Sequence, residues 1–391
     1  MAKKKEDLIR KNKFYLLLKN NLRTTLFKKR FLARFNHNLK SFYLQKGLTS
    51  QPSSQFDDEL LIERLKAHYL ICDANFDGNK DSQWSDHFEK LQGDIHSAFI
   101  GSNHNAILDI LRNPKKYNFF YGFENLSRDL LKNKRLEDIL EPELTMDSLL
   151  SLCEAAGVID ISNPESLKIV KAIDPETAVE LLEKEFGFSL DFPNLFEGEY
   201  GIKTKRGIIS YRAIQAIYQA WKIATITKHI SNPCILEIGG GLGRTAYYCR
   251  KFGIDNYTIV DIPVSSLAQG NFLGRALSPN DLALHDQASS SENYSNDKIK
   301  LIHPKAFFIS DRKYDLIVNV DSLTELDIKI AKEYFKKVCA VGNLFFSINH
   351  EINSFSINSI YKEIHGLKRI YRNPNWVRRG YVDELFEKDI S

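Results

Sequence analysis

The feature that most constrains the fold is a short apolar run that ends in four glycines, within residues 234–246 (CILEIGGGLGRTA). The run predicts a buried strand over 235–238, and the segment 244–250 predicts a helix. Glycine between them allows positive φ and lets a ligand approach the backbone closely. The first turn of the helix would present free N–H groups. A strand, a glycine turn and a helix in this order are typical of an open α/β sheet that holds a nucleoside-containing cofactor.

Downstream of this turn, short apolar runs alternate with segments long enough to form helices. The runs predict further strands at 257–260, 300–303, 316–320 and 344–349. This alternation is typical of a parallel, doubly wound sheet with helices on both faces. Upstream, the sequence indicates helices joined by turns, at 56–72, 146–156, 164–173, 175–186 and 210–229.

Most of the positive charge lies in the first 47 residues. They hold 14 Lys or Arg and two acidic residues, a net charge of +12, whereas the whole chain carries +4. Apolar residues recur there at helical spacing, so the arm predicts a basic amphipathic helix that could lie on an anionic membrane surface. The alternative is a helix that packs on its own protein with a solvated Lys/Arg face. No nucleic-acid-binding motif accompanies the charge, so we expect no nucleic-acid partner.

Cysteine usage and hydropathy indicate the compartment. The five cysteines are scattered without a CxxC pair, which favours neither a disulfide framework nor a zinc site. No apolar run approaches the length of a membrane span, and the N-terminus does not resemble a signal peptide. We therefore expect a cytoplasmic protein, which would be peripheral at the inner face of the membrane if the arm binds lipid.

Two classes of cofactor fit the glycine turn. From Gly241, the sequence matches G-x-G-x-x-A, with Asp261 20 residues further on, as in dinucleotide-binding sites. From Glu237, it matches E-x-G-x-G-x-G, the pattern of S-adenosylmethionine binding. A carboxylate suits the positively charged amino end of that ligand better than a diphosphate. A short-chain dehydrogenase would also need a Tyr-x-x-x-Lys helix, and the match at 294–298 falls in a predicted Ser/Asn-rich loop, 286–297. The predicted cofactor-binding residues are Glu237, Gly239, Gly241, Gly243 and Asp261.

Polar and ionisable groups cluster at the ends of the strands predicted at 316–320 and 344–349, where an open α/β sheet binds its ligands. His350 is the first candidate for a general base because its pKa is ordinarily near neutrality, and Asp321 and Glu325 come next. The alternative for Asp321 to Glu325 is a helix capping box. The segment 371–381 predicts a loop before the last strand, in which Trp376 could stack on a sugar and arginines could bind an anion. The predicted substrate-binding residues are Glu351, Trp376, Arg378 and Arg379.

Several separated motifs resemble those of the bacterial sugar O-methyltransferase family. They lie at 236–248 (LEIGGGLGRTAYY), 260–263 (VDIP), 319–326 (NVDSLTEL), 347–351 (SINHE) and 376–382 (WVRRGYV), and further matches upstream at 121–125 and 204–207 extend the resemblance over 80–385. The resemblance implies a Rossmann-like class I methyltransferase domain with a mostly parallel seven-strand sheet. It also implies S-adenosylmethionine as methyl donor and, as acceptor, a sugar hydroxyl of a surface glycan or its precursor.

We therefore predict three parts: the basic arm over 1–47, a helical region over 48–203 that binds the acceptor or acts as a lid, and the methyltransferase domain over 204–391. The arm would contact an anionic membrane surface or a glycan-assembly protein. No cluster of carboxylates or histidines suggests a metal, so we expect metal-independent transfer. Two alternatives stay open, an NAD(P)-dependent oxidoreductase acting on a nucleotide sugar and a non-catalytic module that binds the cofactor.

Overall fold

The computed structural model describes seven parts of the chain: residues 59–76, 93–120, 134–161, 173–196, 199, 201–285 and 296–389. The predicted arm over 1–47, the motif at 121–125 and nearly all of the helix predicted at 164–173 lie outside the described residues. Of the helices within these parts, none is both long enough and apolar enough to cross a membrane.

Five helices precede the α/β domain in the described residues: α1 (Glu59–Ala74), α2 (Gly93–Ile100), α3 (His104–Arg112), α4 (Lys134–Ala155) and α5 (Pro175–Phe186). The prediction of a helix over 175–186 is confirmed. Asp174 caps its first turn by accepting a hydrogen bond from the Thr177 backbone N–H at 3.0 Å, and Pro175 follows at the first helical position. Gly187, with φ of +79°, ends the helix in the left-handed conformation.

A short hairpin separates these helices from the main sheet, so the region predicted as all-helical does not continue as helix to its end. Its strands are β1 (Ile202–Thr204) and β2 (Gly207–Ile209), and the boundary predicted between 203 and 204 falls inside β1. Arg206 in the turn donates to Glu183 of α5 at 2.6 Å, which ties the hairpin to that helix. The predicted long helix follows as α6 (Tyr211–Thr227), capped by Ser210.

The main sheet has eight strands in the described residues, and most of the connections between them contain a helix. In chain order the elements are β3 (Ile235–Ile238), α7 (Arg244–Lys251), β4 (Tyr257–Val260), α8 (Pro263–Ala276), β5 (Leu282–Ala283), β6 (Ile299–Ile302), α9 (Pro304–Ile309), β7 (Tyr314–Val320), α10 (Ile328–Val341), β8 (Gly342–His350), α11 (Ile357–Glu363), β9 (Leu367–Pro374) and β10 (Tyr381–Lys388). The strand order is β5-β6-β4-β3-β7-β8-β10-β9. All pairs from β5 to β8 are parallel, and β10 inserts antiparallel between β8 and β9.

This arrangement confirms the predicted fold class, a Rossmann-like methyltransferase domain with a mostly parallel sheet. The short β5 is an eighth strand at the edge, beyond the predicted seven. The loop predicted over 371–381 is wrong in part, because residues 371–374 belong to β9 and only 375–380 form the turn into β10. β9 is an edge strand in which only one of eight residues is buried, and it lacks the apolar run that marks the central strands.

Helix α1 packs closely on α8 of the α/β domain because α8 is glycine-rich at the contact. A Cβ on Gly270 would lie 2.5 Å from the Leu65 side chain, and one on Gly274 would lie 2.7 Å from Leu61. Leu61 and Leu65 are buried in this contact. The two glycines therefore let the helices approach closely, and this contact joins the N-terminal region to the α/β domain.

Candidate active site

A cavity of about 190 Å³ opens at the carboxyl ends of β3, β4 and β7. The chain leaves β3 for β4 on one side and later returns to β7 on the other, so this is the switch point of the sheet. The lining includes the glycine turn, the end of β4, the segment after β7 and one face of α6. The cavity therefore lies where an open α/β sheet binds its ligands.

The glycine turn adopts the conformation that its sequence predicts. Gly239, Gly241 and Gly243 have φ of +74°, +56° and +87°, values that favour glycine. A Cβ on Gly239 would also lie 2.2 Å from Ser322 Oγ, so no larger residue fits there. Gly243 is the N-cap of α7 and makes no side-chain cap, which leaves the first-turn N–H groups available to a ligand.

Glu237 is a buried carboxylate in an otherwise apolar strand. It is 1% exposed, and the Tyr257 hydroxyl donates to its Oε2 at 3.0 Å. Burial raises the pKa of Glu237 to about 7, against the opposite effect of the Tyr257 hydrogen bond. A Cβ on Gly240 would lie 3.0 Å from the same oxygen, so the backbone of the turn passes next to the carboxylate. A positively charged ligand group in the cavity would favour the ionised form.

Asp261 ends β4 and is linked to the glycine turn by Gln269. One oxygen accepts from the Ile262 backbone N–H at 2.8 Å, and the other accepts from Gln269 Nε2 at 2.6 Å. Gln269 also donates to the Gly241 carbonyl at 3.1 Å. Burial raises the pKa of Asp261 to about 7, and these hydrogen bonds act in the opposite direction. Asp261 lines the cavity, so its carboxylate could accept from a ribose hydroxyl bound there.

The predicted acceptor-facing residues Asp321, His350 and Arg378 come together beyond the end of β7. Asp321 has φ of +58°, an uncommon conformation for a residue other than glycine. Its Oδ2 accepts from Arg378 Nη1 and from the Tyr381 hydroxyl, both at 2.9 Å. Its Oδ1 lies 3.3 Å from His350 Nε2 and makes no hydrogen bond of acceptable geometry within the described residues. One carboxylate oxygen is thus fixed, and the other stays able to accept a proton.

Asp321 and His350 lie at different positions relative to the cavity. Asp321 lines the cavity, whereas His350 lies behind it and is not among the lining residues of the described chain. His350 Nδ1 accepts from the Ile352 backbone N–H at 3.3 Å, so the neutral ring carries its proton on Nε2, on the side of Asp321.

Glu325 also lines the cavity, at the end of a short 3-10 helix over Leu323–Glu325. The capping-box alternative for this segment is wrong. The Ser322 hydroxyl donates to the Ile238 carbonyl at 2.8 Å and does not cap the helix. Glu325 therefore keeps its place among the candidate site residues.

The other predicted substrate-binding residues lie away from the cavity in the described structure. Glu351 pairs with Arg372 at 2.7 Å. Arg379 is exposed and lies 3.8 Å from Asp147 of α4, and Trp376 is also exposed. None of the three lines the cavity among the residues described here.

Two of the polar residues at the strand ends form a buried network instead of facing a ligand. Asn319 Nδ2 donates to the Ile238 carbonyl at 3.0 Å, and Asn349 Nδ2 donates to Asn319 Oδ1 at 2.9 Å. Asn349 Nδ2 also lies 2.8 Å from Ser347 Oγ. These amides tie the ends of β3, β7 and β8 together and fix the strand ends that surround the cavity.

Sequence reasoning missed the polar face of α6. Arg212, Gln215 and Gln219 all line the cavity, and Thr245 donates to Gln219 Oε1 at 2.5 Å. Their spacing of three and then four residues places them on one helix face, and polar groups on a mostly buried helix are the signal that could have found them. In the described parts of the chain, no group of three or more His, Cys, Asp or Glu side chains is arranged to hold a metal ion.

Together, the strand order and the site define a Rossmann-like domain of the class I methyltransferase type. No protein-family model matches the chain, and a search of curated proteins gives no match. Solved structures similar to it include the glycopeptide N-methyltransferase MtfA in complex with S-adenosylmethionine, at 14% identity and a TM-score of 0.34 over 44% of this chain and 94% of that one.

Two further solved structures show a comparable likeness. Magnesium protoporphyrin IX methyltransferase from Synechocystis PCC 6803, with bound S-adenosylhomocysteine, has 10% identity and a TM-score of 0.32 over 45% of this chain and 83% of that one. Mitomycin 7-O-methyltransferase has 14% identity and a TM-score of 0.32 over 46% and 56%. Because these TM-scores are low, the fold class rests on the strand order and not on the superpositions.

Proposed function

We propose that the chain is an S-adenosylmethionine-dependent O-methyltransferase that acts on a sugar hydroxyl of a bacterial surface glycan or its precursor. The observation that carries the cofactor is the buried Glu237 carboxylate beside a glycine turn with positive φ at Gly239, Gly241 and Gly243. A ligand with a positively charged amino end complements this carboxylate, whereas a diphosphate would place like charges together. The sugar acceptor is supported by the sequence motifs.

The residues present fit this cofactor. The glycine turn and the first-turn N–H groups of α7 would hold the methionine part, with Glu237 at its amino end. Asp261 lines the cavity and would accept hydrogen bonds from the ribose hydroxyls. When bound, the cofactor supplies a methyl group activated by a positively charged sulfur.

Asp321 also lines the cavity, and it is the residue best placed to remove the acceptor's proton. Its Oδ2 is held by Arg378 and Tyr381, which fixes the direction of Oδ1. An alcohol whose proton is removed as it attacks is a better nucleophile for an in-line displacement. His350, 3.3 Å behind Oδ1, would stabilise the carboxylate as a positioning residue, and Glu325 would contact the acceptor.

The cofactor assignment is tested by calorimetric titration with S-adenosylhomocysteine and, separately, with NADH. We expect the first to bind and the second not to bind. Glu237→Gln should lower the affinity for S-adenosylhomocysteine about 10-fold. The affinity for 5′-methylthioadenosine should not change, because this compound lacks the amino end. The exposed Glu185→Gln is the matched control. Binding of NADH alone would favour the oxidoreductase alternative.

The acceptor is tested by mass spectrometry of surface polysaccharide from a deletion strain. We expect the loss of one methyl group per repeat, restored by the wild-type chain and not by Asp321→Asn. Restoration by Asp321→Asn would contradict the role proposed for this carboxylate. If the methylation of the polysaccharide is unchanged in the deletion strain, the surface glycan is not the acceptor. That result would not affect the cofactor assignment.

We also propose that residues 1–47 attach a cytoplasmic enzyme to an anionic membrane surface or to a glycan-assembly protein. The support is the net charge of +12 in this segment together with its helical apolar spacing. Co-sedimentation of the full chain with anionic vesicles, reversed by salt and absent with neutral vesicles, is the expected result. Equal binding to neutral vesicles would contradict it.

A further inference from the structure

Arg212 in the first turn of α6 is a cation that lines the cavity without an acidic partner. Its nearest polar contact is with Gln215, where Nη1 donates to Oε1 at 3.4 Å, and its Nε is buried without a hydrogen bond. Gln215 is 5% exposed, and its Nε2 is likewise buried without an acceptor. Two adjacent side chains of the cavity wall therefore hold unused hydrogen-bond donors.

The other two arginines that line the cavity are neutralised. Arg378 pairs with Asp321 at 2.9 Å, and Arg244 lies 3.8 Å from the buried Glu199. Among the residues that the structure describes, no carboxylate lies within ion-pair distance of Arg212. A cation that is partly removed from water and has no counter-charge favours binding of an anion.

The position of Arg212 indicates which ligand the anion belongs to. Along α6, Gln219 contacts Thr245 in the first turn of α7, whereas Arg212 lies about two helical turns away. The charge of Arg212 acts on the phenol of Tyr381, which in turn donates to Asp321. Arg212 is thus close to a partner of the acceptor-activating carboxylate and about two helical turns from the contact between α6 and α7.

We infer that Arg212, with Gln215, binds an anionic group of the acceptor, so that the preferred substrate is a sugar carrying a carboxylate or a phosphate near the methylated hydroxyl. This inference rests on the proposed function and narrows its substrate class. The planar guanidinium can hold either anion through two parallel hydrogen bonds, and the Gln215 amide can supply a third donor. Binding at this point would orient the sugar hydroxyl toward Asp321.

The test is a calorimetric titration of the protein saturated with S-adenosylhomocysteine. Glucuronate and glucose 1-phosphate are the anionic probes, and methyl glucoside is the neutral one. We expect at least one anionic probe to bind about 10-fold more tightly than methyl glucoside. This probe should bind more weakly at high salt. In Arg212→Gln, its affinity should fall to that of methyl glucoside. Which probe binds distinguishes a carboxylate from a phosphate. Lys228→Gln, which removes one charge at the far end of α6, should change nothing.

Four results would overturn the inference. They are equal binding of the neutral and anionic probes, anion binding unchanged in Arg212→Gln, and no binding of either anion by protein that binds S-adenosylhomocysteine normally. The fourth is that Arg212→Gln binds S-adenosylhomocysteine more weakly and 5′-methylthioadenosine with unchanged affinity. That result would indicate that Arg212 binds the carboxylate of the cofactor. None of them removes the proposed function, which fails separately if S-adenosylhomocysteine does not bind.

Discussion

Mild acid should weaken the contact between α1 and the α/β domain, because two buried histidines there are held neutral. His68 of α1 is fully buried; its Nδ1 accepts from the His285 backbone N–H at 3.0 Å, and its Nε2 lies 2.8 Å from Ser266 Oγ. His303 caps α9 by accepting from the Ala306 backbone N–H at 3.2 Å. A proton on either Nδ1 removes the acceptor of a backbone N–H in a buried setting.

The pKa values give the sign and size of the effect. Burial, with smaller contributions from neighbouring positive groups, lowers the pKa of His68 from 6.5 to about 3 and that of His303 to about 4. The folded chain therefore binds fewer protons than the unfolded chain, so the stability is complete above pH 6.5 and is lost as the pH falls toward these values. At about pH 5, each histidine would lower the free energy of unfolding by roughly 2 kcal/mol.

Two carboxylates act in the opposite direction and decide how the experiment is designed. Burial raises the pKa of Glu237 and of Asp261 to about 7, so these residues destabilise the fold less as the pH falls. The pH dependence of the wild type alone is thus a sum of opposing effects. The informative quantity is the difference between the wild type and His68→Gln, in which the carboxylate contributions cancel.

We therefore expect urea unfolding, followed by circular dichroism at about pH 7.5 and about pH 5, to show a smaller acid loss in His68→Gln than in the wild type, by roughly 2 kcal/mol. The exposed His229→Gln is the matched control and should follow the wild type. An acid loss equal in His68→Gln and the wild type would refute the reasoning, since it would mean that His68 gains its proton without cost to the fold.

Three further changes probe the turn, the helix contact and the carboxylate. Gly239→Ala should weaken S-adenosylhomocysteine about 10-fold in calorimetry, because of the φ of +74° and the 2.2 Å approach to a neighbouring hydroxyl; unchanged affinity would contradict this. Gly270→Leu should lower the free energy of unfolding by about 1–3 kcal/mol, with Gly93→Ala as a control that meets nothing within 4 Å; equal denaturation midpoints would oppose the packing argument. Asp321→Asn should reduce methyl transfer about 100-fold at unchanged cofactor affinity, and His350→Gln by less; a larger loss in His350→Gln would reverse their roles.

Much of the sheet could be predicted from the sequence because its central strands are buried on both faces. β3 and β4 are mainly apolar and all of their residues are buried, so both strands can be recognised as short apolar runs in the sequence. The edge strand β9 mixes apolar and polar residues, and only one of its eight residues is buried. It is therefore recognised only by its pairing with β10. Glu237 could be found as a site residue for the related reason that a charge inside such a run requires an explanation.

Residues on helices were harder to find because their role depends on where the helix lies. Gln269 joins Asp261 to the glycine turn from α8, and Arg212 lines the cavity from α6. The spacing of Arg212, Gln215 and Gln219 indicates a shared polar helix face, but it does not indicate what that face lies against. Tertiary packing, and not motif spacing, therefore determines which polar helix residues belong to the site.

The relation between Asp321 and His350 shows how strand length changes a chemical assignment. Judged by residue type alone, a histidine is the more usual general base. β7 pairs with β8 as far as Val320 opposite Ile348, and β8 continues to His350, which pairs with Tyr381 of β10. The imidazole therefore remains within the sheet, while the chain after β7 turns through the left-handed Asp321 into the cavity. Because Asp321 lines the cavity and His350 lies 3.3 Å from its Oδ1 without lining the cavity, we expect His350 to affect methyl transfer through Asp321.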